Sequence, residues 1–305
     1  MRIIYMGTPD FAVPSLKALM DAGFEIAAVV TAPDKPAGRG MQMRQSAVKE
    51  FALQNELPVL QPEKLRDPDF ITRLKNFNAD LQVVVAFRML PEMVWDMPRL
   101  GTVNVHASLL PQYRGAAPIN WAIINGETET GITIFKLEHE IDTGNVLLAE
   151  KTPIKGDDTA GELHDKLMLS GAALLVKAIR GLEENTLVET SQHELHEGEI
   201  LHTAPKLTKE TGRIDWLKPA TEVYNLIRGL SPYPSAYTTF KDKTLKIYSA
   251  TLELTEPGVS PGAFISDGRS FLKFACKDGF VSVTDVQLEG KKRMQIDEFL
   301  RGQHL

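Results

Sequence analysis

The sequence predicts an α/β protein of two domains: a doubly wound, mostly parallel sheet first, then a small β-barrel. Three observations predict it. Strand-like Arg2–Met6, a helical-period stretch from Asp10 and strand-like Glu25–Thr31 alternate within the first 31 residues. That order builds a parallel sheet with a right-handed crossover. Leu81–Phe87, apolar but for Gln82, reads as a strand buried on both faces. After Pro232 the chain carries five short strand-like runs parted by turns, which suggests a barrel.

Length and composition agree. The 305 residues, 43% hydrophobic and 24% charged, describe a soluble globular protein able to bury two cores. Cys276 is the single cysteine, so no internal disulfide forms, which fits a reducing compartment. No signal-peptide pattern and no apolar run of bilayer length are present, and the expected location is cytoplasmic. Residues 206–305 hold 15 basic and 12 acidic residues, a net of +3, and the remainder 19 and 28, a net of −9. A weakly basic C-terminal part is thus hidden in a whole-chain net of −6.

The elements follow in order. Asp10 caps a first helix whose apolar positions Phe11, Leu16 and Leu19 fall at helical spacing, and Gly23 ends it. The turn Gly7-Thr-Pro-Asp10 is neither G-x-G-x-x-G nor a Walker loop, so no nucleotide-binding motif accompanies the Rossmann-like order. Ala32–Gln45 is a loop rich in Pro, Gly and cations, with Lys35, Arg39 and Arg44. It lies where open α/β sheets bind ligands, or is a surface loop with solvated charges. Helices over Ser46–Asn55 and Pro68–Asn76 flank a short strand, Leu57–Leu60. Strand Val146–Ile154 leads to a helix over Ala160–Gly181, capped by Asp157 or Asp158, with Leu163, Leu167, Leu174 and Leu175 turned inward. Glu183–Pro205 is polar and reads as a solvated linker. Its His193, His196 and His202 lack the H-E-x-x-H spacing, so no metal site is expected. Beyond Lys206 come a helix over Ala220–Leu230 and strands over Ala236–Phe240, Leu245–Leu254, Gly262–Ser266, Phe271–Cys276 and Val281–Gln287. An OB-like barrel is the best description of these. The expected division is 1–182, a linker 183–205, and 206–305.

One stretch carries the chemistry. Thr102–Val105 is a short strand in which Asn104 and His106 share the face opposite Val103 and Val105. The polar loop Ser108–Ala117 follows, and Pro118 starts a helix to about Ile124. An Asn amide offers N–H donors to a carbonyl oxygen becoming an oxyanion, and His moves protons near neutrality. Asp142, in the turn Asp142-Thr-Gly144, is positioned to orient the imidazole. No Ser or Cys has the setting of a covalent nucleophile, so the trio suits direct acyl or formyl transfer to an amine. Taken alone, Asn-x-His is common and Asp-Thr-Gly is an ordinary turn, which leaves a purely structural role open.

Asn104-Val-His106, Ser108-Leu-Leu-Pro111, Tyr113-Arg-Gly-Ala-Ala-Pro118 and Asp142-Thr-Gly144 together resemble the signature of the folate-dependent formyltransferases. The start Met6-Gly-Thr-Pro-Asp-Phe-Ala12, the loop Pro33–Gly40 and the region from Lys206 resemble the branch acting on charged tRNA, over essentially the whole chain. Two positions depart: Ala107 replaces the usual Gly, and Phe87-Arg88 replaces an aromatic-Gly pair, adding bulk and charge to the folate wall. The resemblance implies 10-formyltetrahydrofolate as donor, methionyl-tRNA as acceptor, and Asn104, His106 and Asp142 as catalytic residues. It places Ser108, Leu109, Leu110, Pro111, Phe87, Arg88, Met89 and Leu90 at the folate. It brings Arg39, with Lys35, to the tRNA, and the run Lys291-Lys292-Arg293 is a weaker candidate for binding phosphate. The expected partners are thus folate and charged initiator tRNA, with no DNA, no membrane and no metal, for a monomer. Formylation of an amino-sugar nucleotide or of glycinamide ribonucleotide would use the same trio. A non-catalytic RNA-binding protein would be expected to have lost part of it.

Overall fold

The chain opens with β1 (Arg2–Gly7), α1 (Val13–Asp21), β2 (Glu25–Val30) and a hairpin of β3 (Lys35–Ala37) and β4 (Gln42–Arg44). Then come α2 (Ala47–Gln54), β5 (Val59–Leu60), α3 (Pro68–Asn76), β6 (Leu81–Val85) and α4 (Glu92–Trp95). The middle is β7 (Thr102–His106), β8 (Arg114–Gly115), α5 (Pro118–Ile124), β9 (Glu129–Lys136), β10 (Val146–Pro153) and α6 (Ala160–Glu183). The last part is β11 (Thr203–Ala204), α7 (Ala220–Gly229), β12 (Ala236–Phe240), β13 (Lys243–Glu253), β14 (Phe264–Ser266), β15 (Leu272–Ala275), β16 (Phe280–Leu288), β17 (Met294–Gln295) and α8 (Ile296–Arg301). This computed structural model describes residues 1–37, 42–195, 198 and 200–302. No helix among them is long and apolar enough to cross a membrane.

Two units emerge. The first comprises Met1–Arg114, Gly131–Thr152 and His164–His202, and the second Gly115–Thr130, Pro153–Leu163 and Thr203–Leu305. The first sheet has the order β10-β9-β7-β6-β1-β2-β5. β1 lies parallel between β2 and β6, and β7 runs parallel to β6 and antiparallel to β9. All five residues of β6 are buried, as two-sided cover requires. The strand, expected to reach Phe87, stops at Val85, because Ala86 turns to φ 47° and breaks the ladder. On one face Ile4, Met6, Val30 and Val84 pack with Phe70 and Leu74 of α3 and Val94 of α4.

In the second unit the sheet runs β12-β13-β16-β15-β14, with β17 on β16. It is a curled antiparallel half-barrel around Leu245, Ile247, Phe274 and Val283, plugged by Val223 and Ile227 of α7 and Phe299 of α8. α5 also belongs to this unit and packs on α7, where Asn120 donates to the Gly229 carbonyl (2.7 Å). Arg228 is buried, and its guanidinium bonds Asn225 (2.9 Å) and the Asp158 carbonyl (3.2 Å). Those bonds fix residues 153–163 to α7, a long-range tie that local sequence does not announce.

Three local expectations change. Asp10 does not cap α1: it opens a short 3₁₀ turn and accepts from Phe11 N–H, and α1 begins at Val13. Thr159, not Asp157 or Asp158, caps α6. Its hydroxyl accepts from Glu162 N–H (3.2 Å) and Glu162 reaches back to Thr159 N–H (2.8 Å), a reciprocal capping box. Asp158 instead accepts from Lys155 N–H (2.8 Å). The polar stretch expected to be a solvated linker is partly built into the first unit. Thr190 exchanges two backbone hydrogen bonds with Val146 (2.8 and 2.9 Å), and Gln192 is buried.

Candidate active site

β7 ends at the site, its alternation set by the sheet. Asn104 lies beside Val84 and opposite Phe135, and His106 opposite Thr133. The opposite face carries Val103 and Val105, both buried, against α6: a Cβ on Gly171 would stand 3.3 Å from Val105 Cγ1. Asn104 is half-buried, and its amide meets no protein hydrogen-bond partner among the described residues. Its N–H groups are therefore available to a ligand.

His106 is buried at 6% exposure, edge-on to the Phe135 ring. Its Nε2 lies 3.0 Å from the Tyr113 carbonyl oxygen. A carbonyl only accepts, so Nε2 carries the hydrogen and Nδ1 is left to exchange a proton. Asp142 Oδ2 stands 3.9 Å from Nδ1. The Asp142 backbone has φ 57°, a left-handed turn that Asp tolerates better than most residues. Gly144 is obligatory there, since a Cβ would fall 1.8 Å from the Lys136 carbonyl oxygen.

The loop after His106 hangs from Thr133. Its hydroxyl receives Leu110 N–H (3.0 Å) and donates to the Ser108 carbonyl (2.7 Å). Ser108 is fully buried and donates its own hydroxyl to the Gln112 carbonyl (2.6 Å), so it has no free nucleophilic role. Leu110 packs on Phe135 and Val146, Leu109 is half-buried and Pro111 buried.

The expected folate wall is mixed. Leu90 belongs to the core beside Val94, Phe87 is half-buried and packs against that core, and Met89 is 72% exposed. Arg88 turns back to donate to the carbonyls of Glu63 (2.9 Å) and Pro62, over the Phe87 ring. Burial lowers its pKa from the ordinary arginine value. Arg88, Met89 and Leu90 line a cavity of about 420 Å³ with Leu65, Arg66 and Trp95.

The expected tRNA residues are scattered. Lys35 is exposed on β3, and Arg39 lies outside the described residues, as does His196. Lys291 is exposed, and Lys292 pairs with Glu298 (3.3 Å). Arg293 grips Asp285 with Nε and Nη2 (3.0 and 2.7 Å) over the Tyr248 ring, and that carboxylate raises its pKa. Its charge is already matched within the protein.

Sequence reasoning missed a second basic locus. A cavity of about 690 Å³ in the second unit is lined by Lys206, Lys209, Lys246, Leu207, Tyr233 and Tyr237. Among the described residues none of the three ammonium groups has a carboxylate within ion-pair distance, and Tyr233 is 83% exposed. The lysines are dispersed in sequence, so no charge run flagged them. Thr133 and Gln192 were missed too. Thr133 had a signal, a hydroxyl inside the otherwise apolar run Ile132–Phe135; Gln192 had none, embedded among Ser, His and Glu.

The first sheet thus presents Asn104 and His106 at the end of β7, with Asp142 facing the imidazole from the turn after β9. Residues 1–179 match the formyl transferase family, and residues 206–304 match the formyl transferase C-terminal domain. The chain belongs to the formyl transferase family. It is 52% identical to the methionyl-tRNA formyltransferase of Bacteroides fragilis, over 100% of this chain and 96% of that one. It is 49% identical to the methionyl-tRNA formyltransferase of Flavobacterium johnsoniae, over 99% of this chain and 96% of that one. Among solved structures, the Helicobacter canadensis N-formyltransferase in complex with folinic acid and dTDP-3-aminofucose superposes with a TM-score of 0.67. That match has 20% identity and covers 96% of this chain and 99% of that one, a likeness of fold.

Proposed function

We propose that this protein transfers the formyl group of 10-formyltetrahydrofolate to the α-amino group of methionyl-tRNA, for translation initiation in the cytoplasm. The observation that carries the reading is identity of about half, end to end, with methionyl-tRNA formyltransferases. In this reading residues 1–182 carry the reacting side chains, 183–205 connect and also pack partly on the first unit, and 206–305 bind tRNA, in a monomer. The three lysines around the second unit's cavity support an RNA partner. Three cations lining one cavity, none with a carboxylate at ion-pair distance among the described residues, suit phosphates.

The amine nitrogen attacks the formyl carbon, and the C–N10 bond of the folate breaks. The amine loses one proton and N10 gains one. Asn104 donates to the formyl oxygen as it becomes an oxyanion. His106, with Nε2–H held by the Tyr113 carbonyl, relays the proton through Nδ1. Asp142, 3.9 Å away, counters the charge on His106 while it carries that proton from the amine to N10. No metal enters this scheme. The test runs formyl transfer from 10-formyltetrahydrofolate to methionyl-tRNA and to a dTDP-amino sugar in parallel. Turnover with the sugar alone would refute the tRNA assignment.

A further inference from the structure

Gln192 has a role that its place in a polar stretch conceals. It is 2% exposed, and its amide uses every hydrogen-bonding position it possesses. Nε2 donates to the carbonyls of Asp142 (2.9 Å) and Gly144 (2.8 Å). Oε1 accepts from Arg114 Nε (3.0 Å) and Nη2 (2.6 Å). The chemistry of the partners fixes the orientation: a flipped amide would set N–H against guanidinium N–H and oxygen against two carbonyls. The neighbouring Thr190 is itself paired to Val146, so the residue is anchored from its own backbone.

Its two sides meet residues that carry, or adjoin in sequence, the two groups that flank His106. One side holds the Asp142–Gly144 turn, whose Asp142 carboxylate faces Nδ1. The other side holds Arg114, next in sequence to Tyr113, whose carbonyl fixes Nε2. We propose that Gln192 is a positioning residue for formyl transfer, tying the Asp142 turn to the side chain of Arg114, the residue next to Tyr113, and so setting the tautomer and orientation of His106. This assignment rests on the catalytic reading of His106 and Asp142. A carbonyl and a carboxylate on opposite sides of one imidazole are useful only at fixed distances, and a shift of about 1 Å in a reacting group costs on the order of 10²-fold in rate.

Two variants separate this role from packing. Gln192→Met keeps length and removes every hydrogen bond. Gln192→Glu keeps an ion pair to Arg114 but sets oxygen against the two carbonyls, so it retains the anchor and loses the grip on the turn. The full-length variants are assayed with 10-formyltetrahydrofolate and methionyl-tRNA beside Asp142→Asn, and long-range ¹H–¹⁵N spectra read the His106 tautomer. The expected result is a kcat loss of roughly 30- to 100-fold in both variants. KM for both substrates should stay within about threefold, and the pure Nε2–H signal of His106 should give way to a mixture. If Gln192→Met fails to fold, Gln192→Glu carries the test. Folded variants with kcat within threefold of the parent, or an unchanged His106 tautomer, overturn the role of Gln192. Undiminished turnover in Asp142→Asn overturns the catalytic reading instead.

Discussion

Replacing Asn104 isolates the oxyanion donor. Asn104→Asp keeps the shape of the side chain and removes both N–H groups, and Asn104→Leu removes them without adding charge. The amide has no protein partner among the described residues, so neither change breaks an internal hydrogen bond. The flanking Val84 and Phe135 keep a side chain of similar volume beside them. Asn104→Leu should therefore cost the fold no more than an ordinary substitution, about 1 kcal/mol. The chemistry should lose what one oxyanion donor contributes, roughly 2.7–4 kcal/mol, which is about 10²- to 10³-fold in kcat. The measurement is initial-rate formylation of methionyl-tRNA at saturating folate, with thermal melting of each variant alongside. Turnover within threefold of the parent in a folded Asn104→Leu would show that nothing at this position holds the formyl oxygen.

Three other outcomes are expected. Arg39→Ala should raise KM for methionyl-tRNA while leaving folate affinity, read by calorimetry, within twofold; equal losses would reassign Arg39 to the folate pocket. Replacing Lys206, Lys209 and Lys246 by Ala should weaken tRNA binding and flatten its salt dependence by about 0.7–0.9 in log–log slope for each phosphate left without its lysine; an unchanged slope would exclude the cavity from the RNA path. Cys276 is 1% exposed, and burial pushes its thiol up to about 12. The reactive thiolate is thus suppressed in the fold and released on unfolding, so stability should be intact below about pH 8.5, the ordinary thiol value, and fall as pH rises toward 12. Native protein should resist a thiol reagent at pH 8, and rapid stoichiometric labelling would contradict that.

What is readable in the sequence is what short-range physics decides. Pro68–Asn76 and Ala236–Phe240 match the structure residue for residue, because Asp67 and Pro68 start the one and period-two alternation defines the other. The face shared by Asn104 and His106 follows from strand geometry alone. What is not readable depends on partners far away in the chain. Residues 153–163 join the second unit through Arg228, some 70 residues on, which no boundary signal at Lys206 could convey. The cap of α6 is an intermediate case: Thr159-x-x-Glu162 is a local signature, and the acidic pair just before it competes for the same reading. Gln192 differs in kind. Its importance comes from meeting Arg114, 78 positions earlier, and the Asp142 turn, 50 positions earlier, at one point. A polar stretch reads as solvated because most such stretches lack partners. Burial becomes favourable only when every polar atom is matched. Here the four matches exist: two go to carbonyls of the Asp142 turn and two come from the guanidinium of Arg114, next in sequence to Tyr113. A residue with no recognisable motif thereby acquires a geometric claim on the site, exercised through the residues that touch His106.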